Sequence, residues 1–154
     1  MDIQIKEVAV PEVFDLLGDI PEKHRQEAPF GPFQLELDLN TLAYTHAYNE
    51  GFLRCLCAYD GDTLVGYMSI MCGPDMKHTG MYQCMTEAYY VDPEYRQAGV
   101  FDMLLRVAER LCKEHGVRFL SVTVNPMTDN HEALTKHLEK DGYHTTEYTL
   151  TKEL

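Results

Sequence analysis

The sequence predicts a mixed α/β fold, with one sheet that is part antiparallel and part parallel and carries helices on its faces. Three observations predict it. Residues 52–91 hold three β-rich apolar runs in succession. Residues 99–115 form a strongly amphipathic helix, and strand and helix patterns alternate from there to the end. A chain of 154 residues is expected to fold as one domain, 1–154, large enough to bury a core without a metal or a disulfide.

The elements follow in order. Ile3, Ile5, Val8 and Val10 open a first strand, which Pro11 ends while starting a short helix through Leu17. Residues 18–33, rich in Pro, Gly and charge, read as loop. Leu39, Leu42, Ala43 and His46 stand at helical spacing within 35–49. A strand over 52–59 turns at Asp60-Gly61 into a second arm, 64–72. After a loop over 73–80, a strand over 82–91 stops at Asp92-Pro93. Val100, Met103, Leu104, Val107, Ala108, Leu111 and Cys112 then make one apolar stripe, which Gly116 ends. A buried strand over 119–124 follows. Asp129 and Glu132, spaced like an acidic capping box, open a helix that Gly142 ends, and 143–150 reads as a last strand. The order is β-α-α-β-β-β-α-β-α-β, with the parallel pairing expected where the 99–115 helix forms a right-handed crossover.

Composition narrows the function classes. Asp plus Glu is 25 against 13 Lys plus Arg, a formal net charge of -12. That argues against a nucleic-acid partner, whose backbone is gripped by Lys and Arg, and favours a cationic substrate or a basic surface. The five cysteines, an odd count without a Cys-x-x-Cys, suggest neither a disulfide framework nor a zinc site. They read as small buried hydrophobes, and reduced thiols are expected in a cytoplasmic protein. The first ten residues lack the apolar core of a signal peptide. The uncharged run 63–74 is too short to cross a membrane. No metal site is expected.

The segment that carries chemistry is Val91-Asp92-Pro93-Glu94-Tyr95-Arg96-Gln97-Ala98-Gly99-Val100-Phe101. A strand ends, a tight turn follows and an amphipathic helix begins. Main-chain N–H groups at a helix start lack intrahelical acceptors, and the helix dipole adds positive potential, so such a start suits a diphosphate. Gly99 lets the backbone come close, and Arg96 offers a charged fork.

On these residues, on the helix to Gly116, and on Asn125 through Gly142-Tyr143, the sequence resembles the GNAT superfamily of N-acetyltransferases. The family pattern is Arg/Gln-x-x-Gly-x-Gly/Ala. The resemblance implies a GNAT-like fold, a coenzyme A diphosphate held by Arg96, Gln97, Ala98, Gly99, Val100 and Phe101, and a splayed strand that admits the pantetheine arm. It implies main-chain bonds from Tyr89, Tyr90 and Val91, and contacts to the cofactor arm from Asn125 and Asn130. Phe101 departs from the pattern, standing where the family has a small residue. The family's thiolate-protonating residue on the last helix aligns with His137 by one count and with Leu138 by another.

The expected reaction is transfer of an acetyl group from acetyl-CoA to a primary amine, by direct attack in a ternary complex. An amine arrives protonated, so a base is needed. Glu87 is the candidate. It stands in an otherwise uncharged strand, and alternation groups it with Met85 and Tyr89. His137 is the candidate acid. Tyr44 and Tyr48 stand at i and i+4 on the second helix, a region that the resemblance implies walls the acceptor pocket. The acceptor is a small molecule or a protein lysine, and a homodimer is open. The rival readings are a non-catalytic coenzyme A-binding or protein-interaction module, and transfer of a longer acyl group.

Overall fold

The computed structural model describes residues 1–154. The chain forms two compact units, Met1–Ile20 with Asp38–Thr123, and Pro21–Leu37 with Val124–Leu154.

The first unit is built on five strands: β1 (Ile3–Val8), β2 (Leu53–Asp60), β3 (Thr63–Pro74), β4 (Tyr82–Val91) and β5 (Phe119–Ser121). They lie side by side in sequence order. The first three pairings are antiparallel, and β4 with β5 is parallel. Helices α1 (Val10–Leu16) and α3 (Thr41–Asn49) cover one face, where Val10, Val13 and Leu17 pack with Leu53, Cys55, Cys57, Tyr67 and Tyr90. Helix α4 (Val100–Glu114) crosses all five strands and buries Val100, Leu104, Leu105, Ala108 and Cys112. Both faces of the central strands are therefore covered. This explains why β2 and β3 read as continuous apolar runs and not as alternating ones. The predicted mixed α/β sheet is the one observed.

Four elements differ from the sequence reading. Residues expected as loop hold helix α2 (Ile20–Glu27). Pro21 is tolerated in its first turn, and Glu22 accepts from Arg25 at 2.6 and 2.8 Å and from Gln26 at 2.9 Å across that turn. Helix α3 begins at Thr41, not Leu35, because Asn40 caps it by accepting the Ala43 N–H at 3.1 Å. Strand β5 stops at Ser121: the Thr123 N–H goes to Thr86 Oγ1 at 2.9 Å, leaving the ladder for a side chain. Residues 143–150 form no strand. Tyr148 and Leu150 are 90% and 97% exposed, and apolar alternation without a neighbouring strand specifies nothing.

In the second unit, α5 (His131–Lys140) starts at Asn130 without a side-chain cap, so the Asp129/Glu132 box does not form. The chain contains no helix long and apolar enough to cross a membrane.

The expectation of five reduced thiols is also corrected. Cys72 and Cys84 lie directly opposite on β3 and β4, their Cα atoms 4.1 Å apart, and are joined as a disulfide. Their spacing in sequence hides this, because only the strand register brings them together. Cys55, Cys57 and Cys112 are free and buried.

Candidate active site

The β3–β4 register slips by one residue: Ser69 pairs with Ala88 and Ile70 with Thr86, so Glu87 has no partner. This β-bulge breaks the alternation at Glu87. Met85 shares its face, as expected, but Tyr89 does not. Tyr89 turns to the α4 side, its ring centroid 5.3 Å from that of Phe101. Glu87 points to the α3 side. There Tyr44 Oη donates to Glu87 Oε1 at 2.7 Å and Ser69 Oγ donates to Oε2 at 2.7 Å. Ser69 Oγ in turn accepts the Ala88 N–H at 3.2 Å, a main-chain donor within the bulge.

Each carboxylate oxygen is thus held by one hydroxyl, from opposite sides. Ser69 is buried and Glu87 is exposed, so the clamp is fixed in the sheet while the carboxylate faces solvent. Burial, with the Glu87 charge beside it, pushes the Tyr44 phenol far up, and burial does the same to Tyr67. Both keep their protons and act as donors, not bases. The Cys55 thiol is pushed up by its contact with Cys57 and by burial, and supplies no thiolate nucleophile.

Next to Glu87 on the same face, Met71 and Met85 oppose each other across the ladder and are 39% and 48% exposed. They form an open apolar floor beside the carboxylate. Tyr44, expected from its region of the chain to stand near the acceptor, reaches Glu87 from α3. Ser69 was missed by the sequence reading, and its one signal is a small aliphatic hydroxyl in the buried run Tyr67-Met68-Ser69-Ile70.

On its other edge β4 pairs with β5 only over Gln83–Met85. From Thr86 to Val91 this edge has no ladder partner, a stretch of about 20 Å at ~3.3 Å per residue. Asp92 N donates to Val65 O on β3 at 2.9 Å, so Val91, one residue earlier, directs its N–H and C=O toward the open edge, and Tyr89 does likewise. Tyr90 faces the other way: its carbonyl lies 2.9 Å from where a Cβ on Gly66 would stand. The Tyr90 main chain therefore belongs to the β3 ladder. Tyr89 Oη bridges the open edge to Thr123 O at 2.7 Å, and burial raises that phenol to about 12.

Beyond β4, a 3-10 turn over Pro93–Ala98 leads to Gly99, whose φ of 73° lies in the left-handed region. Nothing would crowd a Cβ there, so the glycine serves the backbone angle and leaves open space at the start of α4. The first helical bond is Met103 N to Gly99 O at 3.1 Å, so the N–H groups of Val100 and Phe101 precede the helical ladder. Gln97 and Ala98 are exposed beside them. Arg96, expected as a charged fork, stands in this turn. Its Nε donates to Val91 O at 2.9 Å and its guanidinium lies 5.7 Å from the Tyr90 ring, tying the turn to the strand. The Phe101 ring packs on Tyr89.

The remaining expected residues lie in the second unit. Asn125 donates to Pro29 O at 2.9 Å and accepts the Met127 N–H at 2.8 Å, so both ends of its amide hold that unit's own chain. Asn130 stands at the start of α5, and His137 is exposed on that helix.

A strand with a free edge, an open helix start and a clamped carboxylate on an adjoining face can hold a long diphosphate-bearing thioester beside a base. Residues 11–141 match the family model described as Acetyltransferase (GNAT) family. The chain matches no curated protein. Among solved structures it resembles a ribosomal-protein-alanine N-acetyltransferase from Brucella melitensis biovar Abortus 2308. That likeness has TM-score 0.74 and 15% identity and covers 99% of both chains. An aminoglycoside acetyltransferase from an uncultured soil metagenomic sample aligns at TM-score 0.77 and 13% identity, over 100% of this chain and 99% of that one. A possible acetyltransferase from Clostridium difficile 630 aligns at TM-score 0.72 and 16% identity, over 99% and 97%. At these identities the likeness is one of fold.

Proposed function

The chain belongs to the GNAT acetyltransferase family, and from that premise we propose that it transfers an acetyl group from acetyl-CoA to a primary amine by direct attack in a ternary complex. The observation that carries this reading is the Glu87 carboxylate, held by Tyr44 and Ser69 and open to solvent beside the free edge of β4. The thioester arm of the co-substrate lies along that edge, with the N–H groups of Tyr89 and Val91 as donors. Its diphosphate meets the N–H groups of Val100 and Phe101 at the start of α4. Gly99 keeps that approach open.

Glu87, or a water it holds, takes the proton from the acceptor ammonium. The free amine attacks the acetyl carbonyl. Val91 lies four residues past Glu87, about 13 Å along a regular strand. Tyr89, two residues past, is the nearer donor, so its N–H is assigned to the developing oxyanion. The thiolate leaves and is protonated by water. Much of the rate comes from holding amine and thioester together.

The acceptor is an amine with an apolar body: its ammonium pairs with Glu87 and its carbon skeleton lies on Met71 and Met85. The net charge of -12 adds a field that concentrates cations. Thiol release from acetyl-CoA against a panel of primary amines tests the reading. Turnover with apolar-bodied cationic amines that falls as salt rises is expected. No release with any amine would overturn it.

A further inference from the structure

The fold gathers three of the chain's five cysteines on the face of the sheet opposite Glu87. Cys72 on β3 and Cys84 on β4 form the disulfide, and Cys112 comes from near the C-terminal end of α4. The three Sγ atoms lie within 4.8 Å of one another. Cys84 and Cys112 are buried and Cys72 is partly exposed. Cys55 and Cys57 belong to the opposite face of the sheet, in the core beneath α1 and α3.

We propose that Cys72, Cys84 and Cys112 form a thiol–disulfide exchange site, oxidised by a low-molecular-weight disulfide, in which Cys84 bonds to either Cys72 or Cys112. Entry is at Cys72, the sulfur that solvent reaches. Its thiolate attacks the reagent RSSR; a Cys72–SR bond forms and one RS⁻ leaves. The Cys84 thiolate then attacks the Cys72 sulfur, the Cys72–Cys84 bond forms and the second RS⁻ leaves. Two protein thiols have lost two electrons, and the reagent has become two RSH, which carry the two thiol protons. In the exchange step the Cys112 thiolate attacks Sγ of Cys84. The Cys84–Cys112 bond forms, and Cys72 departs as a thiolate that takes up the proton Cys112 released, with no net oxidation. Burial pushes the Cys112 thiol up, which keeps its thiolate scarce and makes this step slow beside the first.

The two bonded states tie different parts together. Cys72–Cys84 pins β3 to β4 next to the Met71–Met85 pair. Cys84–Cys112 pins β4 to the helix whose first turn offers the free N–H groups. The thiol state therefore reaches both halves of the transfer site.

Trypsin separates the key sulfurs, leaving Cys84 in fragment 78–96 and Cys112 in fragment 111–113. Reduced wild type, Cys72→Ser and Cys112→Ser are oxidised with glutathione disulfide, quenched in acid, alkylated, digested and mapped by mass spectrometry. Wild type is expected to lose two free thiols. Cys112→Ser is expected to form the Cys72–Cys84 link, and Cys72→Ser, which lacks the entry sulfur, to keep Cys84 and Cys112 as thiols. Oxidation of Cys84 or Cys112 in a folded Cys72→Ser chain as complete as in wild type would overturn the proposal. The exchange step is read in oxidised wild type equilibrated with a trace of reduced glutathione, where fragments 78–96 and 111–113 are expected to be joined in part of the protein and their absence overturns the proposal equally. The readout is a covalent bond, so it stands or falls separately from acetyl transfer.

Discussion

At Glu87 two hydroxyls do different work. Ser69 is buried and holds both the carboxylate and the Ala88 N–H of the bulge. Ser69→Ala strands that N–H as well as freeing the carboxylate, so it is expected to cost about 1–3 kcal/mol of stability, read by denaturant unfolding. Tyr44 reaches only the other oxygen, from α3. Tyr44→Phe is expected to leave the fold intact and lower kcat roughly 10- to 100-fold through misplacement of the base, with little change in KM for acetyl-CoA. A Tyr44→Phe enzyme as fast as wild type would remove Tyr44 from the positioning role. Glu87 itself was legible in sequence as the one charge in an uncharged strand. Its clamp was not legible, since Tyr44 lies 43 residues away in sequence and Ser69 on the neighbouring strand. The face it shares was misread, because a bulge is a property of two strands in register and leaves no mark in one of them.

At the scale of elements, the site depends on how helices begin. Asn40 caps α3 and so fixes the helix that carries Tyr44. Asn40→Ala is expected to cost about 1 kcal/mol, seen as a lower melting temperature, and to reduce kcat in the same direction as Tyr44→Phe. Gly99 starts α4 at φ 73° with open space around its Cα. Gly99→Ala meets no clash, but its backbone angle costs about 1–2 kcal/mol. Weaker acetyl-CoA binding by calorimetry is expected, and unchanged affinity would show that this turn does not grip the diphosphate. The sequence marked Gly99, the turn before it and the whole of α4, because a long apolar stripe and a left-handed glycine are local signals. Arg96 was marked as a phosphate fork, and its Nε bond to Val91 O is a contact that spacing does not specify. The β5 boundary and residues 143–150 were read from alternation alone, which carries no information about whether a partner strand lies alongside.

Over the whole molecule, the mixed sheet and its parallel pairing across α4 were legible because three successive strands and one strong crossover helix admit few topologies. The disulfide was not, because it follows from the register of β3 against β4. The net charge of -12 acts at this scale too. Transfer to a cationic amine is expected to slow several-fold between about 0.01 and 0.15 M salt, as the screening length shrinks from about 30 to 8 Å. A neutral amine is expected to be indifferent, and equal salt dependence for both would detach acceptor choice from the field. The central claim is that Glu87 is the base for amine acetylation, and the most direct measurement compares wild type with Glu87→Gln in acetyl-CoA-dependent thiol release at saturating amine, alongside calorimetric acetyl-CoA affinity. The expected result is kcat lower by about 10²–10⁴-fold with the affinity unchanged. Wild-type turnover by Glu87→Gln would contradict it.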